Sequence, residues 1–161
     1  MKKRGPLQIC ILEDNRERQS AMSDCLAERF YQFSPVFFDD ARKMIEHLKT
    51  NWTATILICL DHDLELRPNR KGRWIDSGTG RDVADWLAQQ APVCPLIIHS
   101  TNSPAAQAMQ MLLEEKGWTT TRVVPWGDLE WVEKEWKRAV RTALLRTAQP
   151  VKGRTKTRTA S

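Results

Sequence analysis

Residues 56–86, ILICLDHDLELRPNRKGRWIDSGTGRDVADW, place three unlike things in a row. An apolar run stops at Asp61-His62-Asp63, a long basic loop follows, and SGTGRDVADW reads as a turn opening into a helix. The run ATILICL, residues 54–60, is nearly continuous in apolar side chains, which is the pattern of a strand buried on both faces of a parallel sheet. Two carboxylates and an imidazole at the end of such a strand stand where parallel sheets present their ligand-binding edge.

Working outward, four further short runs read as strands: LQICIL (7–12), PVFF (35–38), PLIIHS (95–100) and TRVV (121–124). Stretches of helical periodicity separate them. Asn15 to Phe33 spaces Met22, Cys25, Leu26, Arg29 and Phe30 as one face of a helix, and Asp40 to Lys49 does so with Met44, Ile45 and Leu48. Asp82 to Gln90 offers Val83, Trp86 and Leu87, and Pro104 to Lys116 offers Ala105, Ala108, Met109, Leu112 and Leu113. The last helix spans Leu129 to Leu145, with Leu129, Val132, Trp136, Val140 and Leu144 on its stripe. Strict alternation of strand and helix predicts an α/β fold, a (βα)5 doubly wound domain with a five-stranded parallel sheet and right-handed crossovers.

At 161 residues the chain suits one domain with a real core. The formal charge of +5 is concentrated at the two ends. Eight of the 25 basic residues are Lys2, Lys3, Arg4, Arg146, Lys152, Arg154, Lys156 and Arg158, which leaves 17 bases against 20 acids, a net of −3 for the body. The division expected is a basic head at 1–6, a domain at 7–145, and a basic disordered tail at 146–161, RTAQPVKGRTKTRTAS, with almost nothing to bury. Such a tail solubilises the chain or makes transient contact with nucleic acid or another polyanion. No run of about 18 apolar residues is present to span a bilayer, and the start lacks the apolar stretch of a signal peptide. Cys10, Cys25, Cys59 and Cys94 show no CxxC spacing and read as small buried hydrophobes, which points to a reducing cytoplasm.

The residues that follow each strand are the ones a ligand would meet. They are Glu13-Asp14, Asp61-His62-Asp63, His99-Ser100-Thr101-Asn102 and Pro125-Trp126-Gly127-Asp128. Carboxylates converging on one edge repel each other in a low-dielectric cleft, so they call for a cation between them. Mg²⁺, or Mn²⁺, suits an all-oxygen site of this kind.

This pattern resembles the receiver domain of bacterial response regulators over residues 7–145. The resemblance implies a flavodoxin-like architecture, with Glu13 and Asp14 as the acidic pair, Asp61 as the phosphoryl-accepting aspartate, Asp63 lending a carbonyl to the metal, and Ser100 binding a phosphoryl oxygen. The family carries a lysine before a proline at the end of its fifth strand, and RVVPWGD has none there. A second departure is the stretch of 14 residues between Asp63 and Gly78, with Arg67, Arg70, Lys71, Arg73 and Trp74. LDHDL, TGRDVADWL and HSTN together look more like the branch described as cyclic-phosphate processing receiver domains. That resemblance implies metal-dependent work on a cyclic or terminal phosphate, of a cyclic nucleotide or an RNA end. The alternatives are a stand-alone signalling receiver phosphorylated on Asp61 by a histidine kinase, and a degenerate receiver that only binds.

For the phosphoesterase reading the expected metal ligands are Glu13, Asp14, Asp61 and Asp63, and the catalytic set is Asp61, His62, His99 and Ser100. Histidine suits proton transfer near neutrality, although each imidazole has the plainer reading of holding a carboxylate or the backbone. Arg73, Trp74, Asn102 and Trp126 are expected to contact substrate, the tryptophans by stacking a base or simply by packing. SGTGR lacks the spacing of a phosphate loop, so Ser77 or Thr79 reads as the cap of a helix, and His47 as a surface residue.

Overall fold

The computed structural model describes residues 5–147. A five-stranded sheet forms its centre: β1 (Gln8–Leu12), β2 (Ser34–Phe38), β3 (Thr55–Leu60), β6 (Leu96–His99) and β7 (Thr120–Val123), in the order β2-β1-β3-β6-β7 and parallel throughout. Between β3 and β6 the chain adds a small antiparallel ribbon, β4 (Arg67–Pro68) with β5 (Trp74–Ile75). The long basic loop thus carries structure of its own. The helices are α1 (Arg16–Arg29), α2 (Ala41–Asn51), α3 (Gly80–Leu87), α4 (Ser103–Glu115) and α5 (Lys137–Thr147).

Alternation along the strands divides the core in two. Cys10, Leu12, Ile58, Leu60, Leu96 and Ile98 pack against α2, α3 and α4 through Met44, Leu48, Val83, Leu87 and Met109. Ile9, Ile11, Leu57, Cys59 and Ile97 pack on the other side against α1, through Met22 and Leu26, and against α5 and the turn before it, through Val140 and Trp136. All four cysteines are free and buried, and burial pushes the thiols of Cys10 and Cys94 up to about 11 and about 12.

Sequence signals set most helix starts. Asn15 caps α1 by accepting from Arg18 N–H at 3.0 Å, and Asp40 caps α2 by accepting from Arg42 N–H at 2.8 Å. Thr79 is the N-cap of α3, where the Asp82 carboxylate reaches back to its N–H at 2.9 Å. Gly80 is required for close approach: a Cβ there would stand 1.9 Å from the Asp61 carbonyl oxygen.

The chain departs from expectation in three details. The final helical run contains a π-helical turn, Val132–Trp136, before α5, and helix continues to Thr147, beyond the boundary expected at 145. His47 is half-buried rather than free on the surface, with its Nε2 2.8 Å from Gln8 Oε1. Except for residues 5, 6, 146 and 147, the basic head and tail lie outside the described residues.

Candidate active site at the carboxyl edge

Register builds the site. Leu12 pairs with Leu60, and Leu60 with Ile98, so the next residue on each of three neighbouring strands is Glu13, Asp61 and His99. The ladder extends to them, with Asp61 N–H donating to Leu12 O at 3.0 Å and Glu13 N–H to Phe38 O at 2.9 Å. All three are buried, and one ligand atom from each lies within 4.8 Å of the others. His99 shares a face with Ile97, the α1/α5 side, and its ring stacks on Trp131 at 6.0 Å and 24°.

His99 Nε2–H donates to Glu13 Oε2 at 3.2 Å, which leaves its buried Nδ1 without a partner among the described residues. Asn15 N–H donates to Glu13 Oε1 at 2.9 Å, so both oxygens of that carboxylate are held. Burial alone would raise the Glu13 carboxyl, but His99, the Asn15 N–H and Arg18 together carry it below the usual range. Asp61 goes the other way. Burial, reinforced by the neighbouring Glu13 charge, pushes it up to about 6 against the pull of His99, the His62 N–H and Arg18. Two carboxylates driven apart by one environment are a signature of acid-base or metal chemistry.

Arg18, which the sequence reading passed over, is the cation of this cluster. Its Nη1 lies 3.8 Å from both Glu13 Oε2 and Asp61 Oδ2, and its guanidinium sits 5.5 Å from the centroid of Trp131. The signal was present: Arg18 precedes Met22 and Cys25 on the buried stripe of α1, where a cation needs a reason. Trp131 was passed over because ordinary helical spacing turns it off the stripe. The π-turn beginning at the next residue widens the helix, and both Trp131 and Trp136 become fully buried.

The other expected residues surround this cluster or stand away from it. In an extended chain the next residue turns to the opposite face. Asp14 accordingly leaves the cluster, and its Oδ2 accepts from Glu65 N–H at 2.5 Å. Asp63 is exposed; its Oδ1 accepts from His62 Nδ1–H at 2.7 Å, and Asn102 Nδ2–H approaches its Oδ2 at 3.4 Å. Buried Ser100 accepts from Asn102 N–H at 3.1 Å. A cleft of about 280 Å³ opens over the cluster, lined by Asp14, Arg18, Asp61, Asp63, Leu64 and Thr101 among others.

Arg73 and Trp74 do not line this cleft. They lie on the ribbon, with Trp74 71% exposed, while Arg67 ties the ribbon base to the edge by pairing with Asp39 and donating to Asp14 O at 3.2 Å. Trp126 also stands apart. Its Nε1–H donates to Glu135 Oε2 at 2.8 Å, and Lys134 covers its ring at 5.1 Å. The place of the receiver lysine is Val124, exposed and followed by Pro125.

With His99 Nε2–H committed to Glu13, the donors left to a cation are the Glu13 and Asp61 carboxylates, and oxygen donors of this kind fit a divalent ion such as Mn²⁺ or Mg²⁺. The fold and this acidic strand edge together define a receiver domain. The chain belongs to the cyclic-phosphate processing receiver domain family, whose model matches residues 9–115. Solved structures agree on the fold. The phosphorylated cyanobacterial phytochrome response regulator RcpA superimposes with a TM-score of 0.65 at 16% identity, covering 90% of this chain and 98% of that one. The Mn²⁺-bound form of response regulator Rcp1 gives 0.62 at 14% identity, covering 89% and 98%. The response regulator domain of Thermotoga maritima CheB gives 0.62 at 16%, covering 91% and 100%. No curated protein sequence matches the chain. Among the described residues no helix is long and apolar enough to cross a membrane.

Proposed function

We propose that this domain is a metal-dependent phosphoesterase-like receiver that processes a cyclic or terminal phosphate at the carboxyl edge of its sheet. The observation that carries the reading is the buried Glu13–Asp61–His99 triangle beneath an open acidic cleft. The family's description supports the phosphate chemistry. Glu13 and Asp61 would hold Mg²⁺ or Mn²⁺, with Asp14 and Asp63 at the rim of the cleft. When bound, such an ion polarises a phosphoryl oxygen and acidifies a bound water.

The remaining roles fall to the chain's own groups. His99 fixes Glu13, since its Nε2–H is committed to that carboxylate and its ring is clamped against Trp131. His62 has its Nδ1–H held by Asp63, so Nε2 is the atom that takes or delivers a proton. Ser100 keeps its hydroxyl hydrogen free for a phosphoryl oxygen, because it acts only as acceptor toward Asn102. The cyclic nucleotide or RNA end would enter over Leu64 and Thr101, with Asn102 beside Asp63 as an outlying contact.

The test is incubation of the full chain with Mg²⁺ or Mn²⁺ and a panel of 2′,3′-cyclic nucleotides and RNA ends, beside acetyl-phosphate labelling. Hydrolysis that falls roughly 10²-fold in His62→Gln, with metal affinity nearly intact, is expected. Undiminished turnover in that variant would sink the proton role of His62. Stable, acid-labile label on Asp61 without hydrolysis would move the chain to the signalling reading, with a histidine kinase as partner. Neither activity would leave a binding module.

A further inference from the structure

The carboxyl edge has no lysine at Val124, yet a cation lies over its acids. We propose that Arg18 is the phosphate-oxygen ligand of this edge, reaching in from α1 to do what the receiver lysine does from the end of the last strand. The proposal rests on the metal and phosphate reading above and adds a substrate-contacting residue to it.

Four observations carry the assignment. Arg18 is the only cation among the described residues that line the cleft. Its backbone is held by the Asn15 cap, which accepts the Arg18 N–H, and its guanidinium lies against Trp131. Its side chain is 24% exposed, so it is neither sealed in nor loose in water. At 3.8 Å from both carboxylates it neutralises them without a hydrogen bond, since N–H donors bond oxygen at about 2.7–3.2 Å. A planar fork of donors next to a cleft, oriented by a ring and left unspent on its acidic neighbours, matches the geometry of a phosphoryl group.

The same position gives Arg18 a second effect, of opposite sign. A guanidinium close to Glu13 and Asp61 repels a divalent ion approaching those oxygens. Removing its charge should therefore help the metal and harm the phosphate. An arginine serving only to hold α1 on the sheet would still repel the metal from this position, but its removal would leave phosphate affinity unchanged.

The experiment uses the full chain and two probes, Mn²⁺ followed by electron paramagnetic resonance, and inorganic phosphate titrated at saturating Mn²⁺. Arg18→Gln and Arg18→Met both keep an apolar stem against Trp131, and their folding is checked by near-ultraviolet circular dichroism. Each is expected to bind Mn²⁺ at least about threefold more tightly than the parent. Each should bind phosphate roughly tenfold or more weakly, the loss of a hydrogen bond to a charged group. Arg18→Lys should recover part of the phosphate binding. Phosphate affinity equal in the parent and both neutral variants, with Mn²⁺ bound, would overturn the Arg18 assignment while leaving the metal reading intact. A parent chain that binds no Mn²⁺ would overturn the metal reading, and the assignment with it.

Discussion

Replacing Asp61 by asparagine should make the metal-free protein more stable, although it removes the central acid of the candidate site. The side chain is 8% exposed and stands beside the equally buried Glu13, so its charge is held at a cost in free energy. The rise from 3.8 to about 6 reflects that cost net of the attractions of His99, the His62 N–H and Arg18. At 1.36 kcal/mol per unit, about two units correspond to about 3 kcal/mol at neutral pH. For a domain of this size that is a rise in Tm of roughly 6–12 °C. Asparagine preserves the acceptor that takes the His62 N–H at 2.7 Å, so the local turn has no reason to open.

The sign follows from linkage. A folded-state pKa above the unfolded value means that the protonated acid favours folding. Asp61 is therefore most compatible with the fold below pH 3.8, and that advantage is lost as pH rises through about 6. The stability gap between Asp61→Asn and the parent should open between about pH 4 and 6 and stay level above. Glu13 works in reverse, its lowered pKa stabilising the fold until acid protonates it, and it does so in both proteins. Thermal melts of both proteins in EDTA at pH 4 and pH 7.5 read the gap directly. A variant that melts at or below the parent temperature at pH 7.5 would refute the reasoning, as would an equal gain at both pH values.

Gly80→Ala should destabilise the fold by about 1–3 kcal/mol or more, because the added Cβ would sit 1.9 Å from the Asp61 carbonyl oxygen, and backbone has no rotamer with which to yield. Denaturant melts of Gly80→Ala and Arg81→Ala side by side check this; equal stability would mean that α3 slides freely on the strand end. The four thiols should be inert to an alkylating reagent in the native protein and all react in denaturant, since burial raises their pKa. Fast labelling of one native thiol, counted by intact mass, would contradict its burial. Truncation at Gln149 should leave the Tm within about a degree while weakening retention on a polyanion column, as loss of the tail's positive charge predicts. Unchanged retention would assign the polyanion contact elsewhere or remove it.

The sheet and most of the site were legible because both depend on strands. Near-continuous apolar runs mark ATILICL, LQICIL and PLIIHS without reference to anything distant, and a parallel sheet carries the residues after them to one edge. What the alternation could not show was which of two neighbouring acids would join the cluster. That is decided by register: Glu13 stands one residue beyond the matched row Leu12, Leu60 and Ile98, and Asp14, one further along, turns to bond the ribbon at Glu65. The helices were harder to read for chemistry, since a residue's meaning there depends on what the facing element offers. Arg18 on an apolar stripe gains its reason only when Trp131, the buried residue just before the π-turn, arrives from a segment more than 100 residues away. On the proposed reading, the absence of lysine at Val124 and the presence of Arg18 on α1 belong together. A buried pair of carboxylates needs a nearby positive charge, and a charge on either flank of the sheet meets that electrostatic requirement. The flank sets the approach: an arginine held between Trp131 and the two acids would meet a phosphate from the α1 side of the cleft, next to Asn15.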